Sequence, residues 1–451
     1  IDFHSPSEAL GIDYGSVEYN YDEKNYLQNI SYPSGAQITF GYDDLDNSWF
    51  VDGPNAARTW FYLDDAAHQA HGDSRITKVK NSLSEETAYT YDGSGNLAGV
   101  KDGRGNTSAY TYNSAGLLAS ATNPLGQVAN YSYDKDGQLI HVESPARQVD
   151  YNYDDADRLT NLSYSGQGKN TSHTLSYWPN TNNLKTATGS DGDFSFNYNK
   201  ADWLTGTTDP FGFEQRYQHK PGGQITAIGL GNETTTSFEY ADNLMVSISG
   251  SAGLSGFTYD ARRNLVSINR ANGQNSAYLH DKANRPTSLK DGPLEITLGY
   301  DSANNITTET KGQEITGYQY DDLDRMSGWT QPSGITVSYA YDAAGNMTIK
   351  EATDYTYNAA NQLVTDGFNS YSYDGNGNMI SDGINSFSWN AANQLSSIGS
   401  SDETVTYTYD FAGRRSTKTL ADGQIIRFHW AGWKLMAESD ASGIIATYTY
   451  T

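Results

Sequence analysis

Short stretches of alternating apolar and polar residues make up the whole chain, as in Tyr110-Thr111-Tyr112, Tyr131-Ser132-Tyr133 and Tyr407-Thr408-Tyr409. A period of two puts residues of like parity on one face of a strand, and Tyr and Thr are good strand formers. Each stretch stops at a cluster of Asp, Asn, Gly or Pro, and helix formers gather nowhere. The pattern predicts β-strands joined by tight turns from one end of the chain to the other.

The turns carry a repeat. Tyr followed by Asp or Asn recurs about every twenty residues, a period that signals one supersecondary unit copied many times, each copy burying its apolar face only against its neighbours. Clear copies are Tyr91-Asp92 with Gly95, Tyr112-Asn113 with Gly116, Tyr133-Asp134 with Gly137, Tyr341-Asp342 with Gly345, Tyr373-Asp374 with Gly377, and Tyr409-Asp410 with Gly413. Four residues after the aromatic anchor stands Gly, or else Asn25, Asp46, Asp157, Asp202, Asn304, Asp324, Asn361 or Asn393. These residue types tolerate positive φ, so the turn is expected to need a left-handed residue there, with the preceding Asp or Asn capping it. Arg263 and Pro221 break the rule, and their turns are expected to differ.

A second turn, the connector, returns the chain to the next Tyr pair, as in Asn123-Pro124-Leu125-Gly126 and Asp209-Pro210-Phe211-Gly212. At Asp366-Gly367 and Asp382-Gly383 it reads as a two-residue Asp-Gly hairpin. There the anchors Tyr341, Tyr357, Tyr373 and Trp389 close up, so repeats over 341–400 are expected to be short. Two turns per repeat leave two strands, hence roughly 40 strands in all. A single sheet of that size is expected to curl, and one closed ring would be far wider than a barrel filled by its own side chains. The expected fold is therefore all-β: an array of antiparallel hairpins over 1–451, curled or spiralled into a hollow shell or tube. Residues 1–18 read as an opening strand or irregular start, and 62–91 as an irregular repeat with an insertion.

Composition narrows the function. The 29 basic and 54 acidic residues leave a net charge of −25, which disfavours nucleic acid and anionic membrane surfaces. No apolar run approaches the roughly 18 residues of a membrane helix, and Ile1 opens the chain like a piece of something longer. Cysteine is absent, so disulfides and thiolate metal sites are out. The acidic, Cys-free composition is compatible with bacterial export.

The Tyr-Asp turn, its downstream Gly-x-Leu and its Asp-Pro-x-Gly connector resemble the YD-repeat, or RHS-repeat, family over essentially the whole chain. Tyr409-Asp410 through Gly413-Arg414-Arg415, Trp430 and Leu435 to Gly443 is similar to that family's late repeats. The resemblance implies a large β-shell coiled around a hollow interior. In toxin members the shell holds a C-terminal toxin, and in teneurins it forms an extracellular adhesion body. The family's C-terminal core motif is not found in these residues. Asp209-Pro210-Phe211-Gly212 sits in mid-array and reads as an ordinary connector.

Candidate chemistry is sparse. His68 and His71 beside Asp64 and Asp65 are the one close His pair, and could hold zinc or nickel, although an exposed insertion loop accounts for them. Asp374-Gly375-Asn376-Gly377-Asn378 imitates the start of a calcium loop without its later ligands, and turn chemistry accounts for it. Trp49, Trp203 and Trp329 fall off the anchor register, where indoles could stack on sugar rings or pack between repeats. No nucleophile elbow, phosphate loop, zinc-protease helix or dinucleotide fingerprint is present, and no cofactor or catalytic residue is expected. The preferred expectation is a non-catalytic shell segment of a secreted bacterial protein, enclosing polypeptide cargo or displaying a partner or capping domain. The other is an extracellular module that binds carbohydrate or a cell surface.

Overall fold

The computed structural model describes residues 17–33, 35–43, 48–55, 57–64, 75–231, 236–250 and 253–448. Among them are 44 strands and no helix, so no helix is long and apolar enough to cross a membrane. Thirty-three strands belong to one sheet and nine, from Ser372–Tyr373 to Gly443–Thr447, to another; the short strands Thr356–Tyr357 and Leu363–Thr365 pair with each other. Strand pairs are antiparallel and join chain neighbours, as between Val128–Tyr133 and Leu139–Ser144. The all-β hairpin array expected from the alternation is the fold. Over 341–400 the strands shrink to between two and five residues, matching the closer anchors.

Alternation decides which face is covered. In Thr107–Tyr112 the residues Ser108, Tyr110 and Tyr112 are half-buried while Thr107, Ala109 and Thr111 are exposed. The anchor is where the ladder slips. Register shifts fall at Tyr91, Tyr133, Tyr341, Tyr373, Trp389, Tyr409 and Trp430, and an extra residue of this kind bends the strand and re-aims its side chain. Each anchor then donates a hydrogen bond to the first carbonyl of a preceding strand. Tyr91 reaches Ile76 at 2.7 Å, Tyr133 reaches Leu118 at 2.9 Å, Tyr341 reaches Met326 at 2.7 Å, and Tyr373 reaches Leu363 at 2.9 Å. The indole N–H of Trp389 and of Trp430 makes the same bond at 2.7 Å, which explains why Trp stands in for Tyr. Burial pushes the hydroxyls of Tyr341, Tyr373 and Tyr409 above the usual phenol range.

Both turn types share one geometry. In the Asp92 turn the Asp92 N–H donates to the Asn96 carbonyl at 2.9 Å and Gly95 N–H to the Asp92 carbonyl at 3.0 Å. One Asp92 carboxylate oxygen takes the N–H groups of Ser94 and Asn96, both at 2.9 Å. The Asn123 connector repeats all four bonds with its amide oxygen and Gly126. Asp374 likewise takes the N–H groups of Asn376 and Asn378 at 2.9 Å, so that segment folds as a capped turn. Gly95, Gly116, Gly137, Asn25, Asp157, Asn304 and Asn393 all have positive φ, as the residue types required.

Three expectations are corrected. Arg263 adopts φ +69° in an ordinary repeat turn, because Asp260 holds the N–H groups of Arg262 and Asn264 at 2.9 and 2.8 Å and over-determines the backbone. Pro221 breaks no rule, because the anchor there is His219, which puts Gly223 at the left-handed position with φ +84°. The turns at Asp366 and Asp382 hold four residues, since Thr365 pairs with Ser370 and Ser381 with Ser386. The Asp side chain caps the third and fourth residues, which a two-residue hairpin lacks room to do.

The chain divides into two compact units, one of residues 1–109 and 255–361 and the other of 110–254 and 362–451. Among the described residues, three buried apolar side chains (Ala36, Phe257, Val337) lie in the first, and eleven, including Val149, Phe194 and Met436, in the second.

Candidate functional site

Early and late repeats of the same unit meet along a seam. In the first unit, connector turns near residues 53–57, 81–85 and 102–106 lie against Tyr-Asp turns 240 to 269 residues later. Asn55 Nδ2 donates to Asp324 Oδ1 at 3.0 Å, and Ser302 Oγ to the Pro54 carbonyl at 3.1 Å. Arg104 donates to the carbonyls of Tyr357 and Asn358 at 3.0 and 2.9 Å and to Asn361 Oδ1 at 3.0 Å, with Asp342 at 3.4 Å. A Cβ on Gly103 would collide with the Ala343 backbone, so this approach requires glycine.

In the second unit the spacing is 215 to 232 residues and the contacts are more enclosed. Ser144 Oγ donates to Asn376 Oδ1 at 2.9 Å, and Ala391 N–H to the Lys169 carbonyl at 3.1 Å. Farther along lies a buried polar cluster. Asp209 Oδ1 caps its own connector by taking the N–H groups of Phe211 and Phe213 at 2.9 Å, while Oδ2 sits 2.5 Å from His429 Nδ1. His429 Nε2 is 2.8 Å from Ser439 Oγ, and its ring stacks on Phe213 at 4.1 Å. Gln215 Nε2 donates to the Trp430 carbonyl at 3.0 Å and Gln215 Oε1 accepts from Tyr217 at 2.6 Å. Asp410 and Arg414 make an ion pair at 2.6 Å with side chains 1% and 8% exposed, and Arg414 also donates to the Gly432 carbonyl.

Asp209, His429 and Ser439 stand in the order of a charge relay. Ser439 lines neither of the two cavities beside the cluster, and Asp209 is committed to its turn. The arrangement satisfies every buried partner and locks a connector under a late strand. The larger cavity, about 490 Å³, is walled mainly by apolar and aromatic side chains including Tyr217, Phe238, Met245 and Met436. Trp433 stands at its rim, 76% exposed, on a two-residue hairpin.

The sequence-derived candidates are placed as follows. His68, His71 and Asp65 lie outside the described residues. Asp64 accepts the Arg75 N–H at 3.0 Å and its Nε at 2.9 Å; these bonds hold its carboxyl below the usual range. Trp49 stacks on Phe61 at 4.1 Å, and Trp203 packs against His219 at 5.6 Å. Trp329 sits in mid-sheet, paired in register with Tyr318 and Val337. All three indoles are half-buried between neighbouring hairpins. The cluster around Asp209 and His429 was invisible to motif reading, because its members come from a connector turn and a strand 220 residues apart. One available signal was His429 itself, in a chain of only 8 His.

Paired turns of one geometry, aromatic anchors with a polar tip, and seams between distant repeats define a YD-repeat (RHS-repeat) β-array. The RHS-repeat profile matches residues 112–149, and the teneurin YD-shell profile matches 8–130 and 293–436. The chain belongs to the teneurin YD-shell family. None of the curated proteins compared with it matches. Among solved structures, the crystal structure of TcdB2-TccC3-TEV is similar with TM-score 0.75 and 13% identity, over 97% of this chain and 28% of that one. TcdB2-TccC3 gives TM-score 0.76 and 13% identity over 95% and 28%. A mutant Tc holotoxin pore of Photorhabdus luminescens gives 0.69 and 13% over 95% and 27%. These likenesses show a common fold, and the chain spans little more than a quarter of the length of the chains it matches.

Proposed function

We propose that residues 1–451 act as one non-catalytic wall segment of a β-shell in a large secreted bacterial protein, a wall that encloses or displays a polypeptide cargo or partner domain. The observation that carries this reading is the seam. A row of hairpins that merely displayed its loops would need no contact between repeats more than two hundred residues apart, whereas a wall that winds back on itself does. The likeness in fold to Tc holotoxin components supports the same reading, as does the thin distribution of buried apolar residues. The carbohydrate-binding alternative finds no support in Trp49 and Trp203, whose rings pack on Phe61 and His219, or in Trp329, half-buried in mid-sheet. Cryo-electron microscopy of the purified chain tests the proposal. A sheet one layer thick curving around a lumen is the expected density, and a solid particle without a lumen overturns it.

A further inference from the structure

Three successive repeats of the second unit lack the bond that anchors the others. Tyr153 and Tyr177, just before them, donate to the carbonyls of Leu139 and Leu159 at 3.0 and 2.8 Å, and Tyr409 makes the same bond in a late repeat at 2.8 Å. At Tyr198, at His219 and at Tyr240, all three at the anchor slip of the ladder, no hydrogen bond engages the side chain among the described residues. An imidazole is shorter than a phenol, which accounts for the loss at His219. Burial alone pushes the Tyr240 hydroxyl above the usual phenol range, so it remains protonated and a donor.

His219 and Tyr240 both line the cavity of about 490 Å³, and Tyr198 lines the smaller one beside it. Lys434 brings an ammonium to the same wall, and Lys220 lies over the Tyr240 ring, 5.1 Å from its centroid. No Asp or Glu lines the cavity, in a chain where acids outnumber bases 54 to 29. Glu239 falls between the lining residues Phe238 and Tyr240, so strand alternation turns it to the other face, where it accepts from Ser247 at 2.9 Å. Glu438, two residues beyond the lining Met436, accepts from the Tyr448 hydroxyl at 2.7 Å. The rest of the wall is apolar, with Leu204, Ile225, Ile228 and Met245 opposite the rim Trp433. An apolar pocket of this size with a few converging polar groups is the form of a small-molecule site.

We infer that this cavity binds an amphipathic carboxylate, an alkyl chain of medium length whose acid group accepts from Tyr240, His219 and Lys434. Every polar group in that trio is a donor, and an ionised oxygen makes stronger hydrogen bonds with them than a neutral one. The alkyl chain replaces water against the aliphatic wall, and Trp433 covers it at the mouth. A cation would meet Lys434 with no carboxylate in the lining to offset it. The inference concerns a small ligand in one unit and is independent of whether the wall encloses anything.

Equilibrium dialysis of the whole chain against labelled decanoate, kept below its micelle concentration, tests it, with circular dichroism confirming that every variant folds. Decanoate is expected to bind saturably. Methyl decanoate, which keeps the chain and loses the charge, is expected to bind at least about tenfold more weakly. Tyr240→Phe with Lys434→Met is expected to erase that preference while leaving the affinity for the ester unchanged. Met245→Trp fills the cavity and is expected to abolish binding of both; Ile228→Phe serves the same purpose should the first variant not fold. Decanoate that fails to bind overturns the inference. So does an ester that binds equally well, or decanoate binding that a folded cavity-filling variant leaves unmoved.

Discussion

The same five-residue element, Asp followed four residues later by Arg, closes a Tyr-Asp turn in both units and lives in two different environments. In the first unit Asp321 and Arg325 pair at 2.7 Å with both side chains 19% exposed, and Asp281 with Arg285 is similar at 24% and 21%. In the second unit Asp154 and Arg158 resemble these at 25% and 23%, whereas Asp410 and Arg414, in the seam, are almost wholly buried, within contact of Phe194 and Phe411. Water screens the first pairs and compensates either partner if the other is removed. It does neither for the buried pair, where losing one charge strands the other in a poor solvent for ions. Identical local chemistry is thus a trim in one seam and a keystone in the other.

The largest break in that comparison is the pair of changes Asp410→Asn and Asp321→Asn. Asparagine keeps the oxygen that caps the turn, so each change removes the charge and the carboxylate oxygen that accepts from the arginine, and leaves the cap. Urea unfolding is expected to show about 3–5 kcal/mol lost for Asp410→Asn and at most about 1 kcal/mol for Asp321→Asn. Equal losses would mean that burial does not set the difference. Next in size, Tyr409→Phe and Tyr341→Phe each delete an anchor hydroxyl bonded to a carbonyl at 2.8 and 2.7 Å, and each is expected to cost about 1 kcal/mol in the same measurement. Arg263→Gly runs the other way. It relieves a left-handed Arg and is expected to raise the unfolding midpoint, a gain of up to about 1 kcal/mol.

The smallest effect is local and titratable. Asp366 is held down to about 2 by the N–H groups of Asn369 and Phe368 and then by the Tyr371 hydroxyl. A folded value below the ordinary Asp value of about 3.9 means its contribution is complete above that pH and disappears as pH falls towards about 2. A carboxyl-detected NMR titration should place the Asp366 midpoint near 2 while the rest of the sheet is unmoved. A midpoint at the ordinary Asp value would show that the cap is not formed. Other capping carboxylates are also lowered. At Asp92 the Asn96 amide leads; at Asp260 burial raises the value, and the Asn264 N–H and amide outweigh it.

What could be read from the sequence was whatever is local. Strand alternation, the anchor and the left-handed residue repeat in every copy, and a turn is decided within five residues, so Gly95 or Asn304 announces its backbone without reference to anything distant. Arg263 shows the limit of that logic. Its own preference was outvoted by Asp260, whose carboxylate grips the backbone on either side. The anchor hydroxyl bond is not legible in Tyr alone, because Tyr packs plausibly without it. The interchange of Tyr with Trp at 389 and 430 was the clue, since those two rings share a donor more than a shape. The seam lay beyond sequence reading altogether. Its partners carry no motif, and the distance between them is set by how tightly the sheet curls, a sum over many small strand twists that no single residue encodes.

The seam also limits how such a chain can evolve. Seats along it match successive connectors to successive turns, so adding or deleting one hairpin between two seats would slide every later tooth of the rack past its socket by one place. Lengthening a loop does no such thing. Asp64 and Arg75 close their pair across the residues between them. Natural variants should therefore differ freely in the length of single loops, while whole hairpins are gained or lost at the ends of the array or in numbers that restore the mesh.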